Sequence, residues 1–96
     1  MAEVKAIGVF ETRGFTPLIE GADAAVKAAN VELIEWRQIG SGLVSFVIEG
    51  EVAAVRSAIE AARTSATAVG EIISEIVIPR PVDEMRTTFS ASTNGK

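Results

Sequence analysis

Three features of this 96-residue chain could support chemistry or ligand capture: a Gly-Ser-Gly loop, paired carboxylates and a scatter of serines. Gly40-Ser41-Gly42 has the glycine content of a phosphate cradle, in which backbone N–H groups surround an anion. A dinucleotide loop needs a strand before it and a helix directly after it, and a P-loop needs a following Gly-Lys-Ser or Gly-Lys-Thr. Here a strand-like run follows, so the spacing alone reads as a hairpin turn in which glycine supplies positive φ. Thirteen acids make carboxylate pairs easy to find, notably Glu32 with Glu35 and Glu71 with Glu75. Such pairs do acid-base or glycosidic work only when an apolar pocket sets one of them apart. Nothing in the sequence isolates either pair, and both read as solvated faces. Ser41, Ser45, Ser57 and Ser65 are poor nucleophiles, because no histidine is present to activate them and neither Lys5 nor Lys27 falls in a Ser-x-x-Lys pattern.

The absences are as informative. Histidine, cysteine and tyrosine are all missing, which removes imidazole and phenol proton transfer, disulfides and zinc clusters. No metal or cofactor is expected. The net charge of -4, with nine cations spread singly, argues against nucleic acid or an anionic membrane as the main partner. No apolar run approaches the roughly 18 residues of a spanning helix, and Met1–Lys5 lacks a basic leader followed by an apolar stretch, so no signal peptide is expected. Yet 48% of the residues are hydrophobic. A domain this small buries only about two-thirds of its unfolded surface, so part of that apolar content is expected to face other subunits.

The elements that position these residues follow from periodicity. Residues 4–12 alternate as a strand, with Val4, Ala6, Gly8 and Phe10 on one face and Ile7 and Val9 on the other. Thr16-Pro17 opens a helix, Thr as N-cap and Pro at the first helical position, with Glu20 as the first-turn acid. Leu18, Ala22, Ala25 and Ala29 form its buried stripe, Ile19 and Val26 lie beside it, and Asn30 stands where a left-handed C-terminal cap would fall. Residues 31–38 and 43–49 are strands joined through Ile39-Gly40-Ser41-Gly42, with lone Trp36 read as packing. Residues 51–68 form a second helix, stopped by Gly70, and 71–78 a fourth strand with Ile72, Ile76 and Ile78 on one face. A helical turn is expected at 82–86 and a disordered tail at 87–96, leaving residues 1–86 as the domain. The order β-α-β-β-α-β predicts an α+β fold, a split βαβ with both helices on one face of a four-stranded antiparallel sheet. Arg80, clamped between Pro79 and Pro81, is held in one direction and suits a planar contact with carbonyls or a carboxylate.

Taken together, ETRGF, the KAANV junction, IGSGLV and the terminal IPRP resemble the bacterial microcompartment shell proteins, single-domain hexamer-forming class, over about residues 4–84. That resemblance implies the shell-protein variant of the ferredoxin-like fold and a homohexamer that tiles edge to edge with other shell proteins in the bacterial cytoplasm. It implies a central pore lined by Ile39, Gly40, Ser41 and Gly42, flanked by Gln38, through which small polar metabolites diffuse, and contact with encapsulated enzymes. It implies hexamer-to-hexamer contacts at Lys27, Asn30 and Arg80. Gln38 stands where relatives often carry a cation, and Glu51 replaces the usual Asp at the second helix start. The rival reading is a regulatory module binding a small ligand between subunits, since fold does not fix function.

Overall fold

The computed structural model describes residues 5–79. Six elements follow one another: β1 (Ala6–Arg13), α1 (Phe15–Ala28), β2 (Glu32–Gly40), β3 (Leu43–Gly50), α2 (Val52–Thr67) and β4 (Glu71–Ile78). The sheet order is β2-β3-β1-β4 with every neighbouring pair antiparallel, the split βαβ expected from the element order. Arg80, the turn at 82–86, the tail at 87–96 and the start of the first strand at Val4 lie outside the described residues, as does the boundary at 86.

One face of the sheet meets both helices. Phe10, Phe46, Ile48 and Val44 from the strands pack against Leu18, Ala22 and Ala25 of α1 and Val55, Ile59 and Ala62 of α2. Phe10 and Phe46 stack with centroids 5.3 Å apart at 28°. The predicted small-residue stripes serve close approach. A Cβ on Gly8 would lie 2.8 Å from Val55 Cγ1, and one on Gly21 3.0 Å from the Phe10 ring, so α2 and α1 both sit tight on β1.

The expected caps of α1 and the expected face of Ile72 fail, each for a local reason. The helix starts at Phe15, not after a Thr16 cap: Gly14 is the N-cap, at φ 88 and ψ 161, with no side-chain cap bond and no acid in the first turn. Pro17 is therefore the third helical residue, which costs nothing because the first N–H groups of a helix have no intrahelical acceptor. Asn30 is not a left-handed cap, since the chain leaves α1 through extended Ala29 at φ -153. Ile72 does not share a face with Ile76 and Ile78. The ladder skips Ile73, pairing Thr12 with Ile72 but Glu11 with Ser74, so Ile72 joins the core while Ile76 turns to the face away from α1 and α2. Gly70 ends α2 without positive φ; its N–H and that of Val69 both donate to the Ala66 carbonyl.

Gly70 is needed for room. A Cβ there would lie 2.5 Å from Pro17 Cγ, so Gly70→Ala pushes the α2–β4 turn off the start of α1. The expected cost is about 1–3 kcal/mol, read as a lower urea midpoint at unchanged m-value and fixed protomer concentration.

Candidate functional site

The β2–β3 hairpin turns on Ser41 and Gly42, whose φ values of 55 and 80 are both positive, after Gly40 at φ 114. Two consecutive positive-φ residues are the signature of the turn whose twist matches a two-residue hairpin. Ser41 is the sole non-glycine with positive φ among the described residues. The sequence reading assigned that conformation to the glycines alone. The turn is fixed to the body: Gly14 N–H donates to the Gly42 carbonyl at 2.7 Å, and Thr12 Oγ1 donates to the Gly14 carbonyl at 2.9 Å. Arg13 beside it donates through Nε to Glu71 Oε1 at 3.1 Å. The ETRGF string is thus the brace of the Gly-Ser-Gly loop. Ile39, Gly40, Ser41 and Gly42 are brought together and all are exposed, as is Gln38 before them. They form a projection braced at Gly42, with exposed Ile39 beside the Gly-Ser-Gly backbone.

Lys27 and Asn30 lie at the other end of the molecule. The loop closes one end of β2 and the Asn30–Val31 junction opens the other, so nine strand residues, about 27 Å, separate the two candidate regions. Lys27 is in the last turn of α1, as expected for a helix C-terminal cation, and Nζ contacts Asp23 Oδ2 at 3.0 Å with both side chains more than half exposed. Asn30 is exposed, and its carbonyl lies 3.1 Å from where a Cβ on Gly50 would stand. Glu51 caps α2 without any side-chain hydrogen bond, as a residue longer than Asp would.

Two groups of exposed apolar side chains mark the flanks. Phe15, Ile19 and Val26 run along the side of α1 away from α2, and Trp36 stands on β2 at that edge, 49% exposed although it packs edge-on against Phe46. Ile76 and Val69 are exposed on the β4 side, 53% and 47%. Lone Trp36 is thus only half a core residue, and its exposed half belongs to a surface patch.

Glu35 departs most from expectation. The ladder pairs Leu33 with Ile48 but Glu35 with Val47, so Ile34 is an extra residue and Glu35 is turned to the face away from α1 and α2. Its side chain is 2% exposed, not solvated. Arg37 donates to Glu35 Oε2 from Nε at 3.0 Å and Nη2 at 2.7 Å, while Oε1 has no partner. Glu75 is also paired, accepting from Arg63 Nη2 at 2.6 Å, and Glu75 raises the Arg63 pKa through this hydrogen bond and its charge. Glu35, Glu71 and Glu75 are thus each paired with an arginine: Arg37, Arg13 and Arg63. Among the described residues no group of acids is arranged to hold a metal, and no helix is long and apolar enough to cross a membrane.

Comparison with known proteins points one way. The family model described as the BMC domain matches residues 6–81. The bacterial microcompartment shell protein EutM of Salmonella typhimurium is 44% identical over 92 residues, 96% of each chain. The shell protein PduA of the same organism is 49% identical over 77 residues, 80% of this chain and 82% of the relative. The carboxysome shell protein CcmK2 of Thermosynechococcus vestitus is 43% identical over 82 residues, 83% and 80% of the two chains. The crystal structure of a microcompartment protein from Desulfitobacterium hafniense DCB superposes with a TM-score of 0.81 at 34% identity, covering 91% of this chain and 49% of that one.

Proposed function

Because the chain belongs to the BMC domain family, we propose that it is a shell tile whose working unit is a cyclic hexamer, closed around the Gly40-Ser41-Gly42 loop. Its role is structural, in the shell of a bacterial microcompartment in the cytoplasm, and it performs no chemistry of its own. The family match over residues 6–81 carries this reading.

The geometry supports the finer steps. The two flanks of the protomer differ, apolar α1 and β2 on one side and β4 on the other. A contact joining unlike flanks is heterologous, and it makes a ring when the rotation closes. Burying Phe15, Ile19 and Trp36 against the next copy uses the apolar surplus that one protomer cannot hide. A ring with the hairpins inward places Ile39, Gly40, Ser41 and Gly42 around the axis and Lys27 and Asn30 at the periphery, consistent with their separation along β2. Arg80 belongs to the same peripheral contact, and residues 1–86 form the tile. Six Ser41 hydroxyls and the loop amides make a polar constriction for small polar metabolites. Other shell proteins meet the tile at its edges, and encapsulated enzymes meet one of its faces.

Sedimentation equilibrium and negative-stain electron microscopy of the purified protein test this reading. The expected result is a particle of six chain masses that grows into sheets or tubes. Monomers or dimers alone, at any concentration up to sheet-forming ones, would falsify it.

A further inference from the structure

The face of the sheet turned away from α1 and α2 holds a polar cluster beyond the pore loop itself. Arg37 on β2 is paired with Ser45 on β3, Ser45 with Glu11 on β1, and Glu11 with Ser74 on β4. Cross-strand partners share a face, so these four side chains form one polar row across the sheet. The row borders a cavity of ≈ 160 Å³, small enough to hold only one short metabolite, lined by Val9, Glu11, Arg37, Ile39, Ser45 and Val47.

Its chemistry is two-ended. The buried Glu35 carboxylate grips the Nε and Nη2 side of the Arg37 guanidinium, which leaves Nη1 as a donor among the described residues. Ser74 Oγ donates to Glu11 Oε1 at 3.0 Å, which leaves Oε2 as an acceptor. Val9, Val47 and Ile39 supply aliphatic wall for a carbon stem. The charges decide the class of ligand. Glu11 and Glu35 against Arg37 leave a net charge of about -1 per protomer in the cluster, so an anion drawn by Arg37 is repelled by the acids.

We propose that this cavity is a binding subsite for a short, uncharged hydroxy-carbonyl compound of roughly two or three carbons. The carbonyl oxygen accepts from Arg37 and the hydroxyl donates to Glu11. The subsite stands on its own within one protomer; its purpose rests on the pore reading, because Arg37 is three residues, about 10 Å of strand, from Gly40. In the ring, six such subsites surround one mouth of the pore and hold a metabolite before it crosses. Gln38, the pore-flank position, points with Val44 to the opposite face, whereas Arg37, like Arg13 on β1, faces this mouth.

Lactamide and lactate test this, because they share a shape and differ in charge. Each is titrated into the intact assembly while backbone amide shifts are followed. Lactamide is expected to move the amides of Glu11, Arg37 and Ser45, and lactate to bind about tenfold more weakly. Glu11→Gln keeps an acceptor for Ser74 and removes the charge. It also puts an amide N–H group where the ligand hydroxyl had its acceptor, so it is expected to weaken lactamide about tenfold and to erase its preference over lactate. The double variant Glu35→Gln/Arg37→Gln removes the buried ion pair as a unit and is expected to weaken both ligands about tenfold. Shifts absent from these three amides, or a lactamide preference unchanged by Glu11→Gln, overturn the proposal. Sedimentation of the same samples separates the two readings: a hexamer without these shifts sinks the subsite alone, and shifts in a protomer that does not form rings sink the pore alone.

Discussion

Lys27→Ala is expected to leave hexamers intact and to abolish their growth into sheets. The first half follows from what Lys27 does inside the protomer. Within the protomer its ammonium meets Asp23, one turn earlier, and both side chains are largely exposed. An exposed i,i+4 pair contributes about 0.3–0.5 kcal/mol, so folding and ring closure are nearly untouched. The second half follows from repetition. Lys27 sits at the end of the molecule far from the loop, so the proposed ring would carry six copies of it around its rim. A loss of even about 1 kcal/mol at each edge contact is multiplied over the contacts that hold a tile in a lattice. Negative-stain microscopy and light scattering read the sheets, and sedimentation reads the ring. Sheets that persist at the same protein and salt concentration would show that this edge is not the lattice contact. Loss of the ring itself would place Lys27 at the wrong interface.

That prediction draws on residues whose roles came from the family pattern, and the structure shows what kind of signal such a pattern adds. Periodicity was enough for six elements, their order and the core, because Phe10, Phe46, Ile48, Leu18 and Val55 repeat at strand or helix spacing and are fully buried. It could not reveal the extra residues at Ile34 and Ile73. A bulge shifts alternation by one position, and a β-branched residue carries no mark that it is unpaired. The consequence is large at Glu35, which the chain pattern leaves solvated and the bulge turns into a buried group facing Val47. The start of α1 misled for a different reason. Thr16-Pro17 is a good local start signal, but the tertiary bond from Gly14 N–H to the Gly42 carbonyl fixes the helix start two residues earlier. The loop itself was visible as a turn. The pore role proposed for it was not, because such a role belongs to six chains and leaves no periodicity in one.

Arg37→Met is expected to destabilise the protein by about 3 kcal/mol, at the lower end of the range for breaking a buried ion pair because Arg37 is partly exposed. The side chain of Glu35 is 2% exposed, against 41% for Arg37. Glu35 Oε1 is already unpartnered, and Arg37 provides both hydrogen bonds to Oε2. Removing Arg37 leaves a buried carboxylate with no compensation, whereas methionine keeps much of the aliphatic stem that packs over the sheet. The pair as a unit is worth far less than either half alone. Its attraction largely offsets the desolvation of Glu35, so replacing both by apolar residues of similar volume is close to neutral. Glu35→Leu/Arg37→Met is therefore expected to recover all but about 1 kcal/mol of the loss. Urea unfolding at fixed protomer concentration measures all three proteins, with the coupling energy taken from the cycle that includes Glu35→Leu. A single variant as stable as the parent would mean that water or another group reaches Glu35 once Arg37 is gone, and the carboxylate would then not be buried in the working assembly. A double variant as weak as the single one would mean that Arg37 acts through packing, with its charge incidental.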